Sequence, residues 1–357
     1  MRIGVPKEIK NREFRVGLTP ESVSVLCKLG HTIYIEKNLG SDIGFTDEHY
    51  LSVGAKICDT PNSVYENAEL IVKVKEPLPS EYTYLNEKHT VFTFFHLAGN
   101  LQNIQNLIAT GCRGIAYESV LNTENEYPIL SPMSSLAGQI SIVVGNYFLL
   151  KPLDGKGVIG SNLNNTKLRT VTIYGVGVAG LSAAKMAIAQ GFKVNLIDIN
   201  EHKLNSAKGI LNSNNASVML YQSYNLEEIL KSSDLIIGAV HQGSKKASMI
   251  LTNSDLDLIE KGSVLIDIAI DQGGCFASSK PTTHDHPTYS INGVTHYCVT
   301  NMPGAVPLTA SEALNNATLP YIIKLSDGIE VALKSDKFLY HALNFEKGKL
   351  VLEEVLQ

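Results

Sequence analysis

The stretch from residue 170 to residue 200 most constrains the fold of this chain, because it orders a strand, a glycine turn, a helix and a second strand. An apolar run from Val171 to Tyr174 leads into a G-x-G-x-x-G pattern, and a helical run rich in Ala and Ser follows. A preceding strand and a following helix distinguish a dinucleotide-binding turn from an ordinary glycine-rich loop. The pattern therefore predicts a nucleotide-binding α/β unit, whose candidate cofactor-binding residues are Gly175, Gly177, Val178, Ala179 and Gly180.

Each glycine of the turn has its own expected role. Gly175 permits the tight turn, Gly177 leaves room for a pyrophosphate, and Gly180 lets the helix lie close to the sheet. Asp198 ends the second strand, where a carboxylate would accept hydrogen bonds from ribose hydroxyls. Because a carboxylate repels a 2′-phosphate, and only Lys203 lies nearby in sequence to offset it, the sequence favours NAD over NADP.

Length and composition limit the class of protein. With 357 residues the chain is long for one core and suits two domains. The net charge is −5 and no basic tract occurs, so we expect no nonspecific nucleic-acid binding. The N-terminus lacks the apolar core of a secretory signal, and no apolar stretch is long enough to span a membrane. Five scattered cysteines without C-x-x-C spacing suit reduced thiols in a cytoplasm and no structural metal.

Strand-like and helical segments alternate on both sides of the glycine turn, which is typical of parallel sheets. Thr19 before Pro20 predicts the start of the first helix, and Gly30 its end. The first half has five predicted strands, at residues 2–6, 31–36, 70–74, 91–95 and 115–117. The second half has six, which suits a doubly wound dinucleotide domain, at residues 171–174, 193–199, 218–221, 235–240, 264–270 and 296–301.

Two long helices are predicted on either side of the dinucleotide unit, at residues 132–150 and 309–325. We therefore expect an α/β protein with two Rossmann-like lobes, which are doubly wound parallel sheets. The two helices would join the lobes around an interdomain cleft suited to a small molecule. The substrate domain would be discontinuous, at 1–130 and 305–357, and the NAD-binding Rossmann domain would span 131–304.

Polar residues at the carboxyl ends of strands are candidate site residues, because ligands of open α/β sheets bind there. His96 follows an apolar strand and suits proton transfer near neutral pH, although a structural histidine is an equally good interpretation. Lys75 closes another strand, but it and Lys73, which has the same parity, could be solvated edge charges. Arg15 could hold a carboxylate through its bidentate fork, with Arg12 as the competing candidate.

The second half offers Asp271, which ends an apolar strand where a nicotinamide would lie. Asp267 lies inside that strand, so we expect it to form structural hydrogen bonds. Asn301 and Met302 are expected to end the last strand and to line the nicotinamide pocket.

Two further polar clusters are more easily explained as loops than as sites. The His-Asp-His segment at 284–286 has no third ligand at metal spacing, so a metal is improbable there. His241, Lys245 and Lys246 could touch cofactor phosphates, but a surface loop is the simpler interpretation.

These motifs, in this order and spacing, resemble bacterial alanine dehydrogenase from Met1 to about residue 325. The resemblance rests on Arg15, on KVKEP at 73–77, on His96, on the glycine turn, and on IDIAIDQGGCF, THDHPT and NMPG. It implies the reversible, NAD-dependent oxidative deamination of L-alanine to pyruvate and ammonia by a cytoplasmic homohexamer.

The resemblance also implies a role for each matched residue. Arg15 and Lys75 would bind the substrate carboxylate and polarise the carbonyl oxygen. His96 would exchange a proton with the alcohol of the carbinolamine, and Asp271 would assist the attack of water or ammonia. The implied cofactor contacts are Ser134, Asp198, Lys203, Asn301 and Met302.

The chain departs from that family's pattern in two places. Ser135 and Gln139 stand where the family usually has Glu and Arg, and residues 243–248 replace a Pro-Gly-Ala-Lys-Ala-Pro loop by Gly-Ser-Lys-Lys-Ala-Ser. These departures affect the expected rigidity of the cofactor loop and the subunit contacts more than the expected reaction.

Two other functions stay open. The NAD-binding subunit of proton-translocating transhydrogenase is similar to the same two-domain chain, but that family lacks the strand-end His and has Ala-Gln-Asn-Gly-Gly at residues 270–274. The presence of His96 and Asp271 here favours an enzyme with its own acid and base. An opine-type or saccharopine-type dehydrogenase would need only a pocket lined for a bulkier amino acid.

Overall fold

The computed structural model describes residues 1–97, 101–240 and 247–352. The chain divides into two compact units, the first formed by Met1–Met133 with the chain from Val306 onwards, and the second by Ser134–Ala305. Each unit has its own mainly parallel sheet with helices, which confirms the α/β class and the two Rossmann-like lobes. No helix in the described ranges is both long and apolar enough to cross a membrane.

The first 133 residues alternate strands and helices. The strands are β1 (Arg2–Val5), β2 (Thr32–Glu36), β3 (Lys56–Cys58), β4 (Leu70–Val72), β5 (Thr90–Thr93) and β6 (Arg113–Ala116). The helices are α1 (Pro20–Lys28), α2 (Asp47–Ser52), α3 (Pro61–Asn67) and α4 (Leu101–Ala109). The sequence did not predict β3, because three residues are too few to show an alternating pattern. Thr19 caps α1 as predicted, since its side chain accepts the N–H of Ser22.

The second unit begins within α5 (Leu130–Phe148) and contains the glycine turn. Its helices are α6 (Val178–Ala189), α7 (Glu201–Leu211) and α8 (Leu226–Ser232). Its strands are β7 (Thr170–Tyr174), β8 (Lys193–Asp198), β9 (Ala216–Leu220), β10 (Leu235–Gly238), β11 (Val264–Asp267), β12 (Thr288–Ile291) and β13 (Val294–Tyr297). The sheet order is β12-β13-β11-β10-β7-β8-β9, with only β12 antiparallel to its neighbour among these strands.

The expected count of six strands in this unit is wrong, because β12 forms a hairpin with β13 at the sheet edge. Its residues, Thr-Tyr-Ser-Ile, are only partly buried and carry no strong apolar run. The available signal was the Asn292-Gly293 dipeptide, whose two positive φ angles of 53° and 81° suit a two-residue hairpin turn.

The remaining chain completes the first unit with α9 (Pro307–Asp327), α10 (Ile329–Ser335), α11 (Lys337–His341), β14 (Leu343–Glu346) and β15 (Lys349–Leu350). β14 pairs antiparallel with β6, so the first sheet runs β15-β14-β6-β5-β4-β1-β2-β3. α9 also holds the loop after β1, since Ser311 accepts the N–H of Val16 at 3.1 Å and Asn315 accepts that of Thr19 at 2.9 Å. This loop carries Arg15.

A buried ion cluster lies under the carboxyl ends of β1 and β4. The ammonium of Lys73, with a fully buried side chain, lies 3.2 Å from a carboxylate oxygen of Glu8 and 3.0 Å from one of Glu81. Burial alone would lower the pKa of Lys73, but the two carboxylates outweigh it and raise that pKa. The alternative that Lys73 is a solvated edge charge is therefore wrong.

The Lys73→Met substitution should destabilise the protein by about 3–5 kcal/mol, because it leaves two carboxylates buried without their cation. Burial already raises the pKa of Glu8, so protonation at low pH can relieve the remaining charge. We therefore expect the loss to be smaller at pH 5 than at pH 8, measured as the free energy of unfolding in urea.

The matched control is Lys37→Met, which removes a lysine from an exposed ion pair with Asp59. It should change the free energy of unfolding by less than about 1 kcal/mol at either pH. Equal losses in the free energy of unfolding of the two variants would show that the buried Lys73 ion cluster does not stabilise the protein.

Candidate functional site

The glycine turn between β7 and α6 has the shape of a phosphate cradle. Gly175 has a φ of 103°, and a Cβ on Gly180 would lie 1.9 Å from the carbonyl oxygen of Gly175. Packing therefore requires glycine at both positions. At Gly177, which precedes α6, a Cβ would meet no atom within 4 Å. This open space at a helix N-terminus fits the pyrophosphate of a dinucleotide.

Asp198 joins the end of β8 to this turn. One carboxylate oxygen accepts the N–H of Val176 at 2.7 Å, and the other accepts the N–H of Asn200 at 2.8 Å. Lys203 lies in the first turn of α7 with an exposed side chain. The predicted ribose and phosphate contacts thus lie at one end of the sheet, next to the exposed Val178 and the half-buried Ala179 that open α6.

α5 packs closely against the start of α6 within the second unit. A Cβ on Gly138 would lie 2.1 Å from the carbonyl oxygen of Ala179. Nearby, the hydroxyls of Ser135 and Ser182 lie 3.0 Å apart, and Gln139 donates to Ser135 at 3.2 Å. The first departure from the family pattern therefore forms a neutral hydrogen-bonded cluster, next to Ser134 on the same helix.

The second departure falls largely outside the described residues. Positions 241–246, with His241, Lys245 and Lys246, are among those not described. The expectations for these three side chains stay predictions.

Lys75 and His96 are brought together in the first unit, where the Lys75 ammonium lies 3.4 Å from Nε2 of the imidazole. Lys75 is 8% exposed, so the alternative of a solvated edge charge is wrong here as well. Burial, with a contribution from the nearby Arg15, lowers the pKa of Lys75 to about 8. At pH 7 the ammonium is therefore the proton donor of the pair.

His96 stands three residues beyond the end of β5 and has a φ of 47°, a left-handed conformation that is costly for a non-glycine residue. Glu118 holds this conformation by accepting the backbone N–H of His96 at 2.7 Å and that of Phe95 at 3.1 Å. The Phe94 ring stacks on the imidazole at a centroid distance of 5.6 Å. The imidazole is thus oriented by the hydrogen bonds to the His96 backbone and by the Phe94 ring against its face.

The imidazole of His96 lies in a basic environment. Although the residue reaches solvent, desolvation by the surrounding protein and three nearby cations lower its pKa well below the ordinary value. The cations are Lys75, Lys10 and Arg15. His96 is therefore neutral at pH 7 and can accept a proton.

Arg15 is fixed by a carboxylate that the sequence did not single out. Glu13 accepts Nε–H of Arg15 at 2.7 Å and Nη2–H at 2.5 Å, and both side chains are buried. Nη1 lies 3.3 Å from the sulfur of Met133. Glu13 thus fixes the orientation of the guanidinium through a buried bidentate ion pair with its Nε and Nη2 atoms.

Sequence reasoning missed Glu8, Glu13 and Glu118, which hold the backbone of Lys75, the side chain of Arg15 and the backbone of His96, respectively. A buried cation needs a counter-charge, so carboxylates near Arg15 and Lys75 were to be sought. The one local signal is the spacing in Glu13-Phe14-Arg15. Glu8 lies in the loop after β1 and Glu118 in a short 3-10 turn after β6, so neither is near its partner in sequence.

The prediction for Asp267 is confirmed. Its buried carboxylate accepts the N–H of Ala269 at 3.0 Å, the N–H of Cys275 at 2.9 Å and the hydroxyl of Ser279 at 2.5 Å. Asp271 lies beyond β11 in a short 3-10 turn and is exposed. The expectation that Asp271 ends this strand is wrong, because β11 stops at Asp267 and a 3-10 turn at Ile268–Gln272 follows, so Asp271 stands four residues beyond the strand.

The expectation that Asn301 and Met302 end the last strand is wrong. β13 stops at Tyr297, because the chain then leaves β11 and forms an isolated bridge between Val299 and Thr282. Met302 begins a 3-10 turn and is buried. In the described ranges no group of three or more His, Cys, Asp or Glu side chains could hold a metal.

Two family models together match almost the whole chain. "Alanine dehydrogenase/PNT, N-terminal domain" matches residues 4–137, and "Alanine dehydrogenase/PNT, C-terminal domain" matches residues 141–353. A curated relative, an alanine dehydrogenase from Mycolicibacterium smegmatis, is 41% identical over 356 residues, covering 99% of this chain and 96% of the relative.

Solved structures agree with this similarity. A structure titled L-alanine dehydrogenase superposes with a TM-score of 0.94 at 40% identity, covering 99% of each chain. A transhydrogenase from Sinorhizobium meliloti has a TM-score of 0.83 at 21% identity, covering 98% of this chain and 99% of that one. At that identity the second match shows a shared fold only.

The coupling between Lys75 and His96 is testable by titration. In Lys75→Gln the pKa of His96 should rise toward its ordinary value, because one of the cations that lower it is lost. The measurement is the pH dependence of the His96 ring resonances in nitrogen-edited NMR spectra. Lys37→Gln, at an exposed lysine paired with Asp59, should leave these resonances unchanged. A His96 pKa that stays the same or falls in Lys75→Gln would contradict the pairing.

Proposed function

This chain belongs to the alanine dehydrogenase/PNT family, and on that premise we propose that it catalyses the reversible NAD-dependent oxidative deamination of L-alanine. Alanine, water and NAD⁺ would give pyruvate, ammonium, NADH and a proton. The observation that carries the proposal is the Lys75–His96 pair, which combines a donor and a neutral acceptor 3.4 Å apart.

The glycine turn supports NAD as the cofactor, because Gly177 leaves open space where a side chain would block a pyrophosphate. When bound, NAD would supply the acceptor for the hydride from the substrate Cα. Asp198 would accept ribose hydroxyls through the lone pairs that its two backbone contacts leave available. The other residues that would hold NAD are Ser134, Gly175, Val178, Ala179, Gly180, Lys203, Asn301 and Met302.

Arg15 and Lys75 would bind the substrate. The guanidinium of Arg15, whose orientation Glu13 fixes, would receive the carboxylate. Lys75 would donate a hydrogen bond to the developing carbonyl oxygen of pyruvate and stabilise its negative charge.

His96 would act as the acid and base. Its neutral imidazole would take the hydroxyl proton of the carbinolamine as ammonia leaves, and would return that proton in the reverse direction. Asp271 would assist the attack of water on the imine, or of ammonia on pyruvate, by binding a proton of the nucleophile. This role of Asp271 rests on the family resemblance and on its exposed position beyond β11.

Assembly as a homohexamer in the cytoplasm belongs to the same proposal and rests on resemblance alone. Light scattering of the purified protein should give six times the chain mass.

The direct test incubates the purified protein with NAD and L-alanine and follows NADH at 340 nm. Turnover with L-alanine and with pyruvate plus ammonium in reverse is expected. Turnover only with L-serine or lysine derivatives would favour an opine-type or saccharopine-type enzyme. Hydride exchange only with a partner protein would favour a transhydrogenase subunit.

The variants His96→Ala and Asp271→Asn should each lower kcat by at least about a hundredfold, because each removes a group that transfers or holds a proton. NADH affinity, measured by fluorescence, should stay within about twofold, since neither group belongs to the glycine turn. Loss of NADH binding in both variants would make these residues structural.

Two exposed residues provide matched controls for these substitutions. His286→Ala and Asp59→Asn remove the same chemical groups outside the proposed machinery. Both should retain kcat within about twofold, as is usual for surface changes.

A further inference from the structure

The second unit has a cavity of about 830 Å³ at the end of its sheet where the parallel strands begin, opposite the end that carries the glycine turn. Its lining includes Arg169, Asp234 and Gly262, which directly precede or lie just before β7, β10 and β11. These are the amino ends of the strands, whereas the glycine turn follows the carboxyl end of β7. The cavity is therefore separate from the proposed cofactor site, and its volume suits a small metabolite.

The cavity is basic although the whole chain has a net charge of −5. Three carboxylates line it, those of Asp154, Asp234 and Glu260. Six cationic side chains line it as well: Lys151, Lys156, Lys167, Arg169, Lys231 and Lys261. A concave surface with an excess of one charge concentrates counter-ions, so this lining favours an anion.

Most of the negative charge in the lining is already used. Lys156 lies 3.0 Å from Asp234 and 2.7 Å from Glu260, and Lys231 pairs with Glu227 outside the lining. In the part of the chain that the structure describes, four cations of the lining have no carboxylate within 4.0 Å. They are Lys151, Lys167, Arg169 and Lys261.

The wall between these cations is well ordered by hydrogen bonds. Asp234 accepts the backbone N–H of Thr170 at 2.9 Å while it holds Lys156. The backbone N–H of Lys156 donates to the carbonyl oxygen of Gly262 at 3.0 Å, and the N–H of Gly262 donates to the carbonyl oxygen of Gly293 at 2.7 Å. The Lys156 ion pairs thus stabilise part of the cavity wall, and the four cations without a carboxylate partner line the same cavity.

The β12–β13 hairpin adds hydroxyl groups to the same cavity. Thr288 and Ser290 are two residues apart on β12, so their side chains lie on one face. Thr295 lies opposite Ser290 in the register of β13, which places it on that face too. All three line the cavity. Hydroxyls and cations together offer donors in several directions, which matches the acceptor oxygens of phosphate groups.

We propose that this cavity is a second binding site, which takes a small anion bearing two or more phosphate groups. A singly charged carboxylate would leave most of the four available cations unused, whereas a diphosphate group can engage several of them and the hairpin hydroxyls. The site is distinct from the deamination chemistry and does not require it.

Inorganic pyrophosphate is the probe for this site, titrated by calorimetry into the full-length protein with and without saturating NADH. Binding should be saturable, should be unaffected by NADH, and should weaken as NaCl rises from 50 to 200 mM. Competition by NADH would assign pyrophosphate to the glycine turn and overturn the proposal, as would the absence of saturable binding.

Two double variants decide the location. Lys167→Gln with Lys261→Gln should weaken pyrophosphate binding at least about tenfold, because two charge-assisted contacts are lost. Lys185→Gln with Lys208→Gln removes two exposed lysines of the same unit outside the lining, and should weaken it less than about twofold. Equal weakening in both would show general attraction to a charged surface and would overturn the site.

Discussion

The buried ammonium of Lys73 is the interaction on which the candidate substrate site of the first unit depends. It draws together Glu8, from the loop after β1, and Glu81, from the loop after β4. The other oxygen of Glu8 accepts the backbone N–H of Lys75 at 3.3 Å, so one carboxylate both neutralises Lys73 and fixes the backbone that carries Lys75. The Lys75 ammonium then lies against His96. Charge neutralised inside the unit thus helps to hold a further cation, Lys75, beyond the end of β4.

This arrangement separates what the sequence could predict from what it could not. Apolar runs predict the approximate ends of strands, and Lys75 and His96 do lie beyond the neighbouring β4 and β5, although each strand ends three residues before the predicted site residue. Lys73 and Lys75 have the same parity, and no local pattern shows that one binds two carboxylates while the other lies against an imidazole. Those partners are residues 8, 81 and 96, which lie outside the segment that carries the two lysines, so they leave no periodic signal in it. The left-handed backbone of His96 is likewise set by the distant Glu118.

The second unit shows the opposite case, in which local rules suffice. The three glycines of the turn meet three different spatial demands, each of which follows from the motif alone. The structural role predicted for Asp267 also holds, although β11 ends at Asp267 and not at Asp271. The errors lie where the chain leaves the regular pattern, at the β12 hairpin, after Asp267 and after Tyr297. An edge strand buries little apolar surface, so its composition differs little from that of a loop.

The low pKa of Lys75 has a consequence for how substrate binding and stability are coupled. Because folding lowers this pKa from its ordinary value to about 8, the charged ammonium disfavours the folded state below pH 8, and stability rises between pH 8 and the ordinary pKa. The cost is about 3 kcal/mol, since one pKa unit corresponds to about 1.4 kcal/mol. A carboxylate placed beside Lys75 and Arg15 would relieve the repulsion and raise that pKa again. The proposed substrate is such an anion. Part of its binding free energy would therefore come from relieving the unfavourable burial of the Lys75 ammonium beside Arg15.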